Sequence, residues 1–349
     1  TDALIRHVGA DLLRKYLIRH TKYEDYTPKN LGAYLYSLGK DALLAGQEEK
    51  AVAYLSGMSR DSSLWPYALQ LRATAYSILG KHTQAISDFE SCVDRADDVQ
   101  QIRGRASEQE DLRSRCQAGA ARVLYEVGKF EEADRAYDAI SKQSFVWPDI
   151  LFEQAWNAYA QREYNRTLGK LVSYKSPALQ FVFNSEIDAL RAQTYLGLCL
   201  YSDTNDTIND FNGRYGKLGE QIKRFVEGNA SDLNSFYDLG RKALSDSLYT
   251  GNDLHRLTNR FIRGPYFQNL AAQEREIVQE QRSIQGLAPE SVGQGFAGFM
   301  TEVLKWRLHS VKMLGGAYVK NSLIDYHKAL LADFDKMSFI KLEMLNRAK

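Results

Sequence analysis

A 34-residue periodicity in small and large apolar residues constrains this chain more than any other feature. Gly46 and Gly80 stand 34 apart, as do Ala51 and Ala85, and Leu55 and Phe89. Seven residues before each glycine sits a small residue, Gly39 or Ala73. This is the spacing of a helix–turn–helix unit: small residues where two helices touch, a glycine in the turn, then alanine and a large apolar residue four apart on the second helix. A helix pair so short cannot bury its apolar face alone and has to stack on copies of itself.

Three further copies follow when the glycine slot is used as the marker. The series reads Gly46, Gly80, Gly128, Arg162 and Ser202, which keeps the step with insertions of 14 and 6 residues. The small slot of the second helix reads Ala51, Ala85, Ala133, Thr167 and Thr207, and the large apolar slot Leu55, Phe89, Tyr137, Leu171 and Phe211. The contact slot of the first helix reads Gly39, Ala73, Ala121, Ala155 and Tyr195, so the fifth copy departs most. Trp65-Pro66 and Trp147-Pro148 share one phase, and proline suits the first helical position, whose N–H has no partner within the helix. Carried by Leu38-Gly39, by Ala73 with Tyr76, and by Ala121, Gly128-Lys129-Phe130, Ala133 and Tyr137, the pattern resembles the tetratricopeptide repeat (TPR) family. The expected fold is all-α. A capping helix and connection occupy residues 1–31, about five TPR-type repeats form an α-solenoid over 32–214, and a long-helix extension follows over 215–349.

Around the repeats the periodicity is helical but different. Leu4, Ile5, Val8, Leu12, Leu13, Tyr16 and Leu17 form a stripe that suits a helix capping the first repeat. Beyond Gly213, helices are expected over Tyr215–Val226, Ser231–Leu248, Asp253–Arg263 and Phe267–Ile284, with a long segment from Pro289 to the C-terminus. In that segment Phe296, Phe299, Val303, Trp306 and Met313, then Ile324, Leu331, Phe334 and Leu345, mark an apolar face of hairpin type, and Gly315-Gly316 marks a bend.

Charge narrows the partners. Lys and Arg number 45 against 44 Asp and Glu, with the signs mixed along the chain, so no basic footprint for nucleic acid or an anionic membrane is present. No apolar run approaches the roughly 18 residues of a membrane span. No signal-peptide pattern opens the sequence, which starts within a helical pattern; the expectation is a trimmed or mature form.

Three cysteines remain. Cys199, between Leu198 and Leu200, reads as a small buried apolar residue within a helix. Cys92 near the end of one helix and Cys116 near the start of the next are brought together if neighbouring helices stack antiparallel. Two readings stand: a disulfide that closes the base of a polar loop over Arg95–Ser114, or two separate buried thiols. The disulfide would argue for an oxidising compartment such as a bacterial periplasm.

Catalytic and metal signatures are lacking. The six histidines are scattered, without a His-x-x-x-His or Cys-x-x-Cys pair. Gly293-Gln-Gly295-Phe-Ala-Gly298 matches a dinucleotide-binding pattern literally but has no strand before it. Glu48-Glu49 and Glu131-Glu132 fall at helix N-termini, where carboxylates favour the dipole. No enzyme, cofactor or metal is expected.

In tetratricopeptide repeats the first helices line a concave groove through their second, fifth, ninth and twelfth positions. The resemblance carries these onto Tyr36 and Lys40; Tyr67, Gln70, Thr74 and Ser77; Arg115, Arg122 and Tyr125; and Asp149, Phe152, Trp156 and Tyr159. An aromatic groove with basic points implies a peptide or protein segment as ligand, because Tyr and Trp give large contact area at little entropic cost. Packing within the superhelix or against the C-terminal helices is the competing role for these aromatics, Trp156 and Tyr159 first; Tyr164 and Tyr174 read as core. Members that clamp a chaperone's terminal carboxylate carry Lys and Asn at slots that hold Tyr36, Lys40, Tyr67 and Thr74 here, with Lys40 alone in keeping. The segments Trp147–Trp156 and Met337–Glu343 resemble periplasmic repeat proteins of the gliding-motility and envelope machinery of predatory or social deltaproteobacteria. That resemblance implies a non-catalytic scaffold in an envelope complex. The alternative is a cytoplasmic adaptor or secretion chaperone holding an unfolded client, and self-association through the C-terminal helices is a further expectation.

Overall fold

The computed structural model describes residues 5, 14, 18–99, 107–179, 182–246, 252–286 and 294–348. Among them are fourteen α-helices and no strand, in two compact units divided in sequence between Ile150 and Leu151. The helix-pair repeat expected from the 34-residue spacing is the organising element. Most of the expected capping helix lies outside the described residues; Ile5 is buried in the first unit's core and Arg14 pairs with Asp41 at 2.8 Å.

The first unit contains α1 (Leu31–Leu44) with α2 (Glu48–Ser56), α3 (Trp65–Ile78) with α4 (His82–Asp94), and α5 (Glu108–Glu126) with α6 (Phe130–Asp138). The second holds most of α7 (Trp147–Ala160), α8 (Tyr164–Val172), and α9 (Glu186–Gly197) with α10 (Tyr201–Gly228). After these come α11 (Leu233–Ser245), α12 (Asp253–Ile262), α13 (Pro265–Gln285) and α14 (Gln294–Arg347).

Every first helix of a repeat ends alike. The second residue past the helix takes positive φ: Gly46 at 67°, Gly80 at 68°, Gly128 at 78°, Arg162 at 61° and Cys199 at 59°. Its N–H reaches back three residues and the next N–H reaches back five, as in Gly46 to Leu43 with Gln47 to Ala42, or Cys199 to Leu196 with Leu200 to Tyr195. This pair of hydrogen bonds satisfies orphan carbonyls at the helix C-terminus. The fifth marker is therefore Cys199, not Ser202, and the last insertion is three residues shorter than expected. With that shift the fifth copy conforms. Its contact slot is Ala192 rather than Tyr195, its small slot Thr204 rather than Thr207, and its large slot Ile208 rather than Phe211. Ala51, Ala85, Ala133, Thr167 and Thr204 are all wholly buried. Cys199 correspondingly sits exposed in a turn, not buried inside a helix.

Cys92 and Cys116 form a disulfide, Cα to Cα 6.1 Å, which pins the last turns of α4 to α5. The loop it closes is shorter than the expected Arg95–Ser114, because α5 starts at Glu108, capped by the Ser107 hydroxyl accepting the Glu110 N–H. In the second unit α10 runs unbroken for 28 residues. The expected boundary at 214/215 thus falls inside a helix, and the fifth repeat shares one core with the C-terminal helices. Ala192, Ile208 and Phe211 pack in the same cluster as Phe236, Phe267, Leu323 and Leu330.

The hairpin expected of the C-terminal segment is made by α13 with the first half of α14. Phe267 faces Tyr318 and Glu280 pairs with Arg307 at 3.1 Å, an antiparallel order, with Leu270, Ile277, Leu304 and Val311 buried between. The apolar face expected of α14 is only partly the packed one: Phe334 meets Phe211 at 4.9 Å between ring centres, and Val303, Met313 and Ile324 are half-buried. Phe299 and Trp306 are each 65% exposed, and Phe296, Leu331 and Leu345 are exposed as well. Leu304, Val311, Val319, Leu323, Leu330, Met337 and Met344 are the buried stripe. No bend occurs at Gly315-Gly316, where the helix is continuous. The pair allows a close approach instead: a Cβ on Gly315 would lie 2.5 Å from the Tyr237 ring, and one on Gly316 would lie 2.1 Å from the Leu233 carbonyl oxygen.

Candidate functional site

The slots that the resemblance singles out lie on α1, α3, α5 and α7, spaced three, four or seven residues apart so that each set shares one helix face. In the first unit Tyr36 is buried on α1, with Lys40 half-buried one turn on. On α3, Tyr67, Gln70, Thr74 and Ser77 are half-buried. On α5, Arg115 and Arg122 are exposed and Tyr125 is half-buried against Phe130 at 5.6 Å between ring centres.

Two carboxylates that sequence reading had left in the loop join this face. The Tyr67 hydroxyl donates to Glu108 Oε2 at 2.9 Å. Burial, and then the Glu108 charge, push that hydroxyl well above the usual tyrosine range, with Tyr36 close enough to add to the effect. One turn along, Asp111 accepts from Arg115 Nε at 2.9 Å, and burial outweighs the arginine to raise its carboxyl above the ordinary value. The Arg115 guanidinium in turn lies over the Phe145 ring at 4.8 Å. The first unit therefore presents a mixed aromatic and charged surface, acidic at Glu108 and Asp111, basic at Lys40 and Arg122. The signal that would have found the acidic pair was Ser107-x-x-Glu110, a helix-start pattern ahead of the periodic residues.

In the second unit the same slots meet the chain itself. Phe152 is only 9% exposed and packs with Leu171, Ile187 and Leu190. Trp156 stands edge-on to Phe152 at 6.4 Å and to Tyr159 at 5.6 Å, and Tyr159 continues to Tyr164 at 5.5 Å. Tyr159 shares a hydrogen bond with the Gln193 side chain and lies in the field of Glu343 and Arg347 on the last turn of α14; burial raises its hydroxyl.

The corrected register gives the fifth repeat the slots Glu186, Ala189, Gln193 and Leu196, and α14 lies along them. Ser185 Oγ donates to Asp333 at 2.6 Å, and Lys336 Nζ lies 2.8 Å from Glu186 and 3.1 Å from Asp333. Ala189 and Leu196 are buried in the cluster that holds Met337, Ile340 and Met344. On the fifth repeat a helix of this chain thus occupies the positions equivalent to those expected to hold a partner segment on the first four.

Among the described residues no group of three or more His, Cys, Asp and Glu side chains is placed to hold a metal ion. Among them, too, no helix is long and apolar enough to cross a membrane.

No family model matches the chain, and no curated protein matches it. Three solved structures to which it is similar are helical proteins of the Rap type. The apo form of RapI aligns over 80% of this chain and 96% of its own, at 11% identity and a TM-score of 0.42. The Rap conjugation gene regulator of plasmid pLS20, in complex with the Phr* peptide, aligns over 86% and 79% at 8% identity and 0.38. A Rap protein complexed with competence and sporulation factor aligns over 91% and 84% at 15% identity and 0.38.

Proposed function

We propose that this protein is a non-catalytic scaffold whose first three repeats hold a segment of another protein against α1, α3 and α5. The observation that carries the reading is the seating of α14 on the slots of α9: this repeat face, in this chain, takes a helix. On the first unit the equivalent positions are Tyr36, Lys40, Tyr67, Gln70, Arg122 and Tyr125. Their aromatic bodies and polar tips suit a segment with apolar anchors and charges of both signs. Phe152 and Trp156 serve mainly to pack the second unit, and Tyr159 to meet the end of α14.

The setting we favour is an extracytoplasmic one, in a bacterial envelope complex. The Cys92–Cys116 disulfide supports it, because such bonds persist in oxidising compartments and are rare in the cytosol. A cytoplasmic client-holding adaptor is the reading it disfavours.

A photo-crosslinking amino acid placed at Gln70 or Arg122 in the native host tests the face. A discrete partner adduct, lost when Tyr67 and Tyr125 are both changed to alanine, is the expected result. An adduct pattern unchanged by those substitutions would exclude the face. Thiol counting on the natively isolated protein tests the setting: one free thiol, Cys199, is expected outside the cytosol, whereas three would favour the cytoplasmic adaptor.

A further inference from the structure

The second unit contains a cavity of about 390 Å3 that none of the repeat slots line. It is a half-open cleft bordered by Tyr174, Lys175, Leu179 and Phe183 after α8, the first turns of α9, the middle of α10 and the start of α12. Its volume falls in the range of small-ligand clefts. Phe183, Ile187, Leu179 and Tyr215 are buried and give it an apolar, partly aromatic floor.

The rim is cationic. Lys175, Arg191, Arg214 and Arg256 face Asp188 and Asp253, four positive charges against two negative. Both carboxylates are engaged. Asp188 accepts from Arg191 at 2.7 Å and from the Tyr215 hydroxyl, and Asp253 lies 3.8 Å from Arg256. Arg214 and Lys175 are in no ion pair with the described residues, although Asp188 lies within the electrostatic reach of Arg214. The Arg214 guanidinium is 4.9 Å from the Phe183 ring and 5.2 Å from the Tyr215 ring. The side chain is exposed, two rings flank its guanidinium, and its N–H groups make no hydrogen bond to the described residues. A guanidinium stacked in this way presents its free edge to a planar oxyanion.

From this juxtaposition of a ring-flanked Arg214, unpaired among the described residues, with an apolar floor, we propose that the cavity binds a carboxylate carried on an aromatic or branched apolar group. The monoanion is favoured over a phosphate because Asp188 and Asp253 share the cavity and a second negative charge would be repelled. Two sources carry this chemistry: the last residue of a peptide chain and a free small acid. The site is separate from the face proposed for partner segments, so either assignment can fail without the other.

The test uses the full chain and N-acetyl-phenylalanine, compared with its amide and with inorganic phosphate, followed by ligand-observed NMR. The acid is expected to bind saturably, and the amide and phosphate at least about tenfold more weakly, since the charge-assisted pair to Arg214 is lost or mismatched. Arg214→Leu should weaken the acid by a similar factor without changing the far-UV circular dichroism. If that variant melts lower than the parent, Lys175→Gln serves in its place, with an expected loss of about threefold. An acetylated tripeptide ending in phenylalanine that binds tighter than the single residue identifies a chain terminus as the source; no gain identifies a free acid. Absence of saturable binding, an amide or phosphate that binds as well as the acid, or an undiminished affinity in the variants overturns the proposal.

Discussion

At five turns the chain leaves a helix through a left-handed residue, and three of the five are glycine. For a residue with a Cβ that conformation costs roughly 1–2 kcal/mol, which glycine avoids. Gly128→Ala should therefore lose about 1 kcal/mol in urea denaturation. Arg162→Gly should go the other way, gaining less than about 1 kcal/mol because glycine also loosens the unfolded chain. The two changes should have opposite signs; a loss in both would mean that Arg162 contributes packing that its exposure does not suggest. The same positions explain where the sequence was misread. The turn geometry is what repeats, and glycine is only its commonest marker, so Cys199 hid the fifth turn and Ser202, three residues on, took its place. Asp111 supplies a second residue-scale prediction. Its carboxyl is raised in the folded protein, chiefly by burial, so folding holds the proton more tightly than the unfolded chain does. The stability it contributes is full below the ordinary carboxylate value of 3.8 and is lost as pH rises through its folded value. The difference in stability between the parent and Asp111→Asn, followed by denaturation across acid pH, should favour the parent most at the lowest pH and decline upward. A difference that grew with pH would mean that Arg115, not burial, dominates.

Among the elements, α14 shows most clearly what periodicity leaves undecided. It carries two apolar stripes, and spacing alone cannot say which one faces a core. Phe296, Phe299, Trp306 and Leu331 are larger or better aligned in sequence, yet the buried stripe runs through Leu304, Val319, Leu323 and Leu330. What decides is close approach, which glycines permit and which has no local sequence signature. Gly316 abuts the first turn of α11, where no Cβ fits beside the Leu233 carbonyl. Intrinsic propensity says that Gly316→Ala in a helix interior gains roughly 1 kcal/mol. The packing says that it forces α11 outward at a cost of about 1–3 kcal/mol. The expected net result is destabilisation, read as a lower urea midpoint; a higher midpoint would mean that α11 is not held against α14. The start of α5 is the opposite case, legible in Ser107 and Glu110 but masked by the polar composition of its first two turns. Their loop-like composition hides Glu108 and Asp111, which turn an aromatic face into one with an acidic end.

For the molecule as a whole, the covalent and the noncovalent fastenings belong to different cores. The disulfide joins α4 to α5 among Phe89, Leu112 and their neighbours. Helix α14 closes the other core through Leu323, Leu330 and Met337. Removing the disulfide with Cys92→Ala and Cys116→Ala releases a loop of 24 residues from its constraint, worth about 3 kcal/mol in the chain-entropy account. Leu330→Ala leaves a cavity at a side chain only 1% exposed, worth about 2–5 kcal/mol. Native-state hydrogen exchange resolved by peptide should separate the two. Loss of the disulfide is expected to lower protection in α3, α4 and α5 and to leave α11 and α13 unchanged, while Leu330→Ala does the reverse. Stacked repeats also couple to their nearest neighbours, which would spread either change along the array. If both substitutions lower protection everywhere, coupling wins, and a partner held on the first three repeats would then feel the seating of α14 on the fifth. If the effects stay apart, the partner face works without reference to α14, and the two roles can be altered one at a time.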